Sequence, residues 1–138
     1  MERTLAIVKP DAVQRGLAGE IIKRIEAQGL AISALKKLHL TRAQAERFYE
    51  VHEDRPFYKS LCDYMTSGPV VIGVLSGEQA ITRWRTLMGA TDPARAAAGT
   101  IRKDLGVDVE KNAVHGSDAP ETAASEIAFF FSAIELLT

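Results

Sequence analysis

Apolar and polar positions follow one another along the chain with two different periods. Short apolar runs typical of β-strands occur at residues 4–9, 31–40 and 70–75, and a briefer one, "NAVH", occurs at 112–115. The first run is apolar enough for a strand that is buried on both faces, and the third is the most apolar of the set. The pattern therefore predicts four strands.

Between and after these runs, apolar residues recur at helical spacing. The predicted helices cover residues 17–29, 42–52, 57–65, 78–88 and 121–137. Thr41 and Gln44 have the spacing of a capping box before the second helix, and Gly29 and Gly89 are typical stop residues after the first and fourth.

Two further helix starts are predicted from small polar residues. Ser76 or Gly77 is expected to cap the fourth helix, and Ser117 or Asp118 the last, with Pro120 at a favoured early position. On this interpretation Asp118 is a helix cap and not a catalytic acid.

The order of the elements indicates an α+β fold. The chain runs β-α-β, two short helices, β-α, a long loop and β-α, which is typical of a ferredoxin-like split βαβ arrangement. We expect a four-stranded antiparallel sheet covered by helices, with the helices on one face, in a single domain over residues 1–138. The loop from Gly89 to Asn112 has no long periodic element, and long loops in compact domains are usually functional.

Composition and charge exclude several functional classes. The chain has 46% hydrophobic and 25% charged residues and a formal net charge of −1, as in ordinary globular proteins. This charge argues against binding to nucleic acid or anionic membranes through bulk electrostatics. There is one cysteine, Cys62, no apolar run of membrane-spanning length and no signal-like N-terminus, so we expect a soluble, cytoplasmic protein.

Familiar catalytic motifs are missing from the sequence. It contains no Walker phosphate loop, no G-x-G-x-x-G fingerprint and no G-x-S-x-G elbow. Its three histidines and single cysteine lack the spacing of metal ligands. A metal held by the protein is therefore not expected.

Polar residues nevertheless occur where the apolar pattern predicts rigid backbone. Lys9 ends the first strand and His115 the last, and these strands are neighbours in a split βαβ sheet, so both side chains can line one cleft. Arg85 lies on the fourth helix and Arg102 in the long loop. Further hydrogen-bond donors of that loop are Thr91 and Asn112. Such a set suits a polyphosphate.

His115 could be more than a hydrogen-bond donor, because a neutral imidazole is a nucleophile when one nitrogen is free and the other is held by an acceptor. Glu126, on the last helix, and Ser117 are plausible orienting groups. Taken singly, all these residues also have ordinary explanations. These are solvent-exposed or loop-anchoring charges for Lys9, Arg85, Arg102 and Glu126, a turn residue for Asn112, and packing aromatics for Tyr49 and Phe57.

Taken together, the motifs resemble the nucleoside diphosphate kinase family. The stretches are "ERTLAIVKPDAV", "RPFYKSL" with "MTSGPVV", "MGATDP", "GTIR", and "NAVHGSD" followed by "EIAFFF". They stand in that family's usual order and spacing over about residues 2–131. "N-x-x-H-G-S-D" is the specific element.

The resemblance implies a reaction and its partners. A nucleoside triphosphate would donate its γ-phosphoryl group to Nδ1 of His115, and a second nucleoside diphosphate would then accept it, with little base or sugar selectivity. Mg²⁺ would arrive on the nucleotide phosphates and not on protein ligands. No membrane and no obligatory nucleic acid are implied as partners.

The resemblance also assigns roles to individual residues. Contacts to phosphate, ribose and the transition state would come from Lys9, Tyr49, Arg85, Thr91, Arg102 and Asn112. Phe57 would stack on the base, with Leu61 and Val109 as its neighbours, and Ser117 and Glu126 would support His115.

The chain departs from the common family pattern at four positions. Ala98 stands where proline is frequent, Leu105 where an aromatic is usual, Asp92 where asparagine is frequent and Ala119 where serine is frequent. These changes fall in the loop and at a helix cap, where they affect loop rigidity and subunit contacts. The resemblance implies a homo-oligomer, either a tetramer or a hexamer.

Two other classes of function stay open at the level of sequence. One is a non-catalytic nucleotide-binding module on the same sheet, because a fold does not fix a function. The other is nucleic-acid binding, which the net charge disfavours.

Overall fold

The computed structural model describes residues 1–137 and contains one four-stranded sheet. The strands are β1 (Glu2–Val8), β2 (Ala31–Leu38), β3 (Val70–Gly77) and β4 (Val114–Gly116). They lie in the order β2-β3-β1-β4, and every neighbouring pair is antiparallel. This confirms the predicted α+β fold with a split βαβ sheet.

The five predicted helices are present but differ in length, and two short helices that were not predicted occur after the first strand and within the predicted long loop. They are α1 (Pro10–Gln14), α2 (Ala18–Ala27), α3 (Arg42–Phe48), α4 (Tyr58–Met65), α5 (Ala80–Met88), α6 (Ile101–Leu105) and α7 (Pro120–Phe130). Short 3₁₀ helices occur at Glu50–His52, Pro93–Arg95 and Ala133–Glu135. The capping box of Thr41 and Gln44 is formed at the start of α3 as predicted. Within the described residues, no helix is long and apolar enough to cross a membrane.

Helices cover both faces of the sheet, so the expectation that they lie on one face was wrong. Leu5 and Ile7 of β1 pack with side chains of α4 and α7, whereas Ala6 and Val8 pack with side chains of α2 and α5. Successive side chains of a strand point to opposite faces, and the central strands are apolar at nearly every position. Both faces therefore need an apolar cover.

The predicted cap of α5 is also wrong, because β3 continues through the residues that were expected to form it. Ser76 and Gly77 pair with Arg3 and Glu2 in the β1–β3 ladder, and α5 begins only at Ala80. The side chain of Glu2 accepts the hydrogen bond from the backbone N–H of Ile81 at 2.9 Å instead.

The last helix differs from its prediction at both ends. Ala119 is the N-cap, so neither Ser117 nor Asp118 caps it. The helix ends at Phe130, where the Lys36 ammonium donates a hydrogen bond to the Phe130 carbonyl at 2.7 Å. A side chain of the edge strand thus satisfies a carbonyl at the helix end and turns the chain back toward β2.

Candidate active site

His115 lies on β4, directly opposite Ile7 of β1. Its backbone carbonyl accepts a hydrogen bond from the buried Trp84 indole at 3.2 Å. Phe48 of α3 stands edge-on to the imidazole, with 5.8 Å between the ring centroids. The side chain is 22% exposed, so the ring is held on three sides and still accessible to solvent.

Glu126 and Ser117 orient the imidazole of His115. The His115 Nε2 atom lies 3.3 Å from Glu126 Oε1, which also accepts a hydrogen bond from Ser117 Oγ at 2.7 Å. Ser117 Oγ in turn accepts from the backbone N–H of Leu5 at 3.2 Å, which fixes this chain of contacts to the sheet.

The ionisation of Glu126 determines the tautomer of His115. Burial alone would raise the pKa of Glu126, but the hydrogen bond and charge of His115 and the hydrogen bond from Ser117 lower this pKa below its ordinary value. An ionised carboxylate can only accept hydrogen bonds, so the imidazole hydrogen belongs on Nε2. The lone pair of Nδ1 is then available for attack.

Lys9 and Asn112 form a buried pair next to the histidine strand. Lys9 Nζ donates to Asn112 Oδ1 at 2.9 Å, and it lies 3.5 Å from the Glu110 carbonyl. The Asn112 amide donates to the carbonyls of Thr91 and Val109 at 3.0 and 3.1 Å. Since Lys9 is 8% exposed and Asn112 is 2% exposed, neither is a solvent-facing charge or an ordinary turn residue.

Burial shapes the charge of Lys9. Desolvation lowers its pKa to about 8, and the positive charge of Arg102 adds to this effect, while Asp11 and Glu110 act in the opposite direction. The lysine is thus a cation near neutral pH that a phosphate group would stabilise strongly.

Arg102, on α6, places a second buried cation against β4. Its guanidinium donates to the carbonyls of Gly89 at 3.0 Å and Val114 at 2.9 Å, and Val114 is the neighbour of His115. Desolvation, followed by the charge of Arg85, lowers the pKa of Arg102 to about 10. Its Nε atom is buried and has no hydrogen-bond partner within residues 1–137.

Arg85 is the exposed member of the cation set. Its Nη1 atom donates to the carboxylate of Asp118 at 2.7 Å, and 43% of its side chain is accessible. Asp118, which was expected to cap a helix, is therefore the partner of Arg85. A pair this exposed stabilises the fold little, so Arg85 is free to exchange its partner for an anionic ligand.

The remaining predicted residues lie around this cluster in different ways. The hydroxyl of Tyr49 is buried without a hydrogen-bond partner in the described part of the chain, and burial followed by the charge of Glu126 raises its pKa. Thr91 joins the cluster through its backbone carbonyl. Phe57, at the start of α4, is 47% exposed, and its ring packs against His52 rather than against the cluster.

Sequence reasoning missed two residues that hold the site. Trp84, interpreted as a packing or interface residue, fixes the carbonyl of His115. Asp118 pairs with Arg85 across the sequence. The only local signal for Trp84 was an aromatic N–H at a buried helix position, which needs a hydrogen-bond partner.

The site brings together a nucleophilic imidazole and several fixed cations. Lys9 contacts Asn112 and Arg102 contacts Val114, and both contacted residues are within three positions of His115. No group of three or more His, Cys, Asp and Glu side chains that could hold a metal occurs within residues 1–137. Donors of this kind bind phosphate oxygens. The fold and the site thus define an α+β protein with an oriented histidine and buried cations next to its strand.

Comparisons with known proteins agree with this class. The sequence model of the nucleoside diphosphate kinase family matches residues 2–136. A nucleoside diphosphate kinase of Desulfosudis oleivorans is 61% identical over 137 residues, 99% of each chain. That of Desulfatibacillum aliphaticivorans is 63% identical over 136 residues, again 99% of each chain.

Solved structures show the same relation. The nucleoside diphosphate kinase of Aquifex aeolicus superimposes with a TM-score of 0.96 at 47% identity, covering 99% of both chains. A halophilic nucleoside diphosphate kinase of Halobacterium salinarum, solved in complex with CDP, gives a TM-score of 0.95 at 45% identity over 99% of this chain and 91% of that one. The chain belongs to the nucleoside diphosphate kinase family. It is an enzyme of the phosphotransferase class.

Proposed function

We propose that the protein transfers the γ-phosphoryl group of a nucleoside triphosphate to a nucleoside diphosphate by a ping-pong mechanism through phosphohistidine at His115. The observation that carries this proposal is the hydrogen bond of Nε2 to ionised Glu126, which leaves Nδ1 as the nucleophile. A protein that only bound nucleotides would not need an oriented imidazole.

In the first half-reaction, Nδ1 of His115 attacks the γ-phosphorus, the bond to the bridging β-γ oxygen breaks, and the nucleoside diphosphate leaves. The imidazole then carries positive charge, and the Glu126 carboxylate stabilises it through Nε2–H. In the second half-reaction, a terminal oxygen of another nucleoside diphosphate attacks the phosphorus and the P–N bond breaks. The enzyme returns to its starting state, as covalent catalysis requires.

Cations near the histidine stabilise the charge that spreads over the transferred group. Lys9 and Arg102 are fixed by carbonyl and amide acceptors, so they need little reorganisation during transfer. Arg85 can leave Asp118 for the phosphates. We assign Thr91 and Asn112 to the positioning of the nucleotide phosphates, Asn112 through its hydrogen bond to Lys9, and the buried Tyr49 hydroxyl to a supporting role.

Mg²⁺ is the proposed cofactor, bound to the phosphate oxygens of the nucleotide. The protein side chains of the site are mainly cationic or are acceptors already in use, and such a donor set fits the phosphates better than a bare cation. When bound, the ion neutralises phosphate charge.

Base recognition is assigned to the exposed ring of Phe57, together with Leu61 one turn further along α4 and the exposed Val109. Stacking on an aromatic face tolerates every base, so low selectivity for base and sugar is expected. The relative from Halobacterium salinarum was solved with CDP, and we extend such pyrimidine binding to this chain as part of the proposal.

We further propose a homo-oligomer, a tetramer or a hexamer, located in the cytoplasm. The edge strand β2 and the exposed apolar residue Leu35 on it support association, since exposed strand edges invite pairing. The free buried thiol of Cys62 supports a reducing compartment. The net charge of −1 supports a function without nucleic acid or membrane as a partner.

Incubation with γ-labelled ATP tests the proposed mechanism. We expect an acid-labile, alkali-stable label on the protein that is lost in His115→Ala and kept in the matched variant His39→Ala, because His39 lies outside the cluster and contacts the Thr66 carbonyl. A label that persists in His115→Ala would overturn the assignment. Binding of ATP without any label would favour a non-catalytic module.

A further inference from the structure

A hydrogen bond joins two segments that carry the exposed apolar residues of the proposed base site. Ser60 Oγ of α4 donates to Glu110 Oε2 at 2.9 Å, across 50 positions of sequence. Ser60 is one helical turn after Phe57, and Glu110 is next to Val109. Phe57 and Val109 are 47% and 61% exposed, and the bond joins the two segments that carry them.

The segment from Val107 to Lys111, here called the 107–111 loop, is tightly hydrogen-bonded within itself. The Val107 N–H donates to the Lys111 carbonyl at 2.8 Å, and the Asp108 carboxylate accepts from the backbone N–H groups of Glu110 and Lys111 at 3.0 and 2.8 Å. These hydrogen bonds fix the conformation of the loop.

This loop is also attached to the catalytic cluster. The Val109 carbonyl accepts from the Asn112 amide, and the Glu110 carbonyl lies 3.5 Å from Lys9 Nζ. Its other attachment is the bond of Glu110 to Ser60 on α4. Glu110 thus connects helix α4, which has Phe57 at its start, with the loop whose carbonyls contact Lys9 and Asn112.

We propose that Glu110 is a positioning residue for nucleotide binding. Its bond to Ser60 fixes the distance between helix α4, which carries Phe57, and the 107–111 loop, which carries Val109, on the two sides of the proposed base site. This inference rests on the proposed function, in which the base occupies that site. The bond involves none of the groups that contact His115, so we expect it to affect the binding of the nucleoside part and not phosphoryl transfer itself. When the two protein surfaces are already fixed, less conformational freedom is lost on binding than when the base must first bring them into place.

Two phosphoryl donors separate these effects. ATP has a base, whereas phosphoramidate has none and phosphorylates an imidazole directly with loss of ammonia. In Ser60→Ala and Glu110→Ala, we expect the ATP concentration for half-maximal labelling of His115 to rise about three- to tenfold, the range for losing one hydrogen bond to a charged, partly exposed group. In Ser60→Ala, which leaves the charge of Glu110 near Lys9 in place, the maximal labelling rate and the rate with phosphoramidate stay unchanged.

The variant that combines Ser60→Ala with Glu110→Ala tests whether the two residues act through the same bond. Because the two residues share one bond, the half-maximal ATP concentration of the double variant is expected to be no higher than that of either single variant. Ser125→Ala, an exposed serine on α7 with a local hydrogen bond, is the matched control and keeps wild-type values. An unchanged or lowered half-maximal ATP concentration in the single variants, or additive losses in the double variant, would overturn the inference. If wild-type protein took no label from either donor, the proposed function itself would fail.

Discussion

At the level of single residues, the orientation of His115 depends on one shared carboxylate oxygen. Glu126 Oε1 contacts both His115 Nε2 and Ser117 Oγ. The carboxylate therefore sets the tautomer and the orientation of the imidazole and stabilises its positive charge. None of these functions requires contact with the nucleotide.

Glu126→Gln is expected to lower kcat by about 10- to 100-fold, the usual effect of removing a charged group that orients a reactive one. The amide keeps the volume of the side chain but loses the negative charge that stabilises the imidazolium form. Steady-state kinetics with ATP and a second diphosphate measure the change, and the nucleotide KM should stay near its wild-type value. Glu121→Gln, at an exposed position of the same helix, is the control; equal kcat in both variants would contradict the role given to Glu126.

Lys9 gives the site a pH dependence. Its pKa of about 8 results from burial and from the charge of Arg102, so the free protein loses this cation as the pH rises through that value. Phosphate binding favours the charged form, and nucleotide affinity should therefore decrease as the pH rises through about 8. Calorimetric titration with ADP across this range tests the prediction in wild type and in Lys9→Met, which should lose the decrease. A wild-type affinity that is independent of pH on the alkaline side would refute it.

At the level of elements, the short strand β4 and helix α7 position the side chains of His115 and Glu126 in the candidate active site. The strand is placed by its pairing with β1, and the turn that follows it passes close to α5. At Gly116, an added Cβ would lie 2.6 Å from atoms of both Met88 and Trp84. Glycine is needed there because of this close approach.

Gly116→Ala should lower the free energy of unfolding by about 1–3 kcal/mol, the usual cost of overpacking a core. It should also reduce kcat, since Trp84 holds the carbonyl of His115. Urea denaturation measures the stability. The control is Gly19→Ala on α2, where an added Cβ meets nothing within 4 Å and a gain of about 0.5 kcal/mol is expected. Equal stabilities of the two variants would contradict the packing argument.

The type of each element could be predicted from local sequence patterns, whereas the residues at which helices begin and end could not. The apolar run of β1 and the capping box of Thr41 are local signals, and both predictions are confirmed. The start of α5 depends on Glu2, and the end of α7 depends on Lys36, which are remote in sequence. A residue taken for a cap, Asp118, was instead paired across the sequence for the same reason.

The candidate site shows a similar division. Lys9, Asn112 and His115 were singled out from strand ends and loop positions, and the structure places them close together. The partners of Trp84 and Arg85 depend on the packing of α5 against β4, which no local period encodes. The motif resemblance supplied Phe57 and Tyr49, whose functional roles stay predictions.

At the level of the whole molecule, the sheet is covered on both faces but has an open edge at β2. Leu35 on this strand is 50% exposed, and Ile134 and Leu137 of the C-terminal segment are 93% and 70% exposed. The backbone N–H of Leu137 donates to the Ser33 carbonyl at 2.9 Å, so this segment covers one point of the edge. The apolar surface that is left favours association of chains.

We expect a solution mass of four or six times the 15.0 kDa chain. Leu35→Asp should reduce this mass, because a charge on the edge strand opposes pairing. Light scattering after size-exclusion chromatography gives the mass. Val51→Asp, at an 81% exposed position away from the edge, should leave it unchanged. A monomeric wild type, or a full-mass Leu35→Asp variant, would rule out the proposed interface.

A chase experiment shows whether phosphohistidine at His115 is an intermediate of the reaction. Protein labelled with γ-labelled ATP is freed of nucleotide and mixed with GDP in one sample and with dCDP in another. We expect the label to leave the protein completely in both samples and to appear as the γ-phosphate of GTP and dCTP. A label that stays on the protein, or is released as inorganic phosphate, would contradict it.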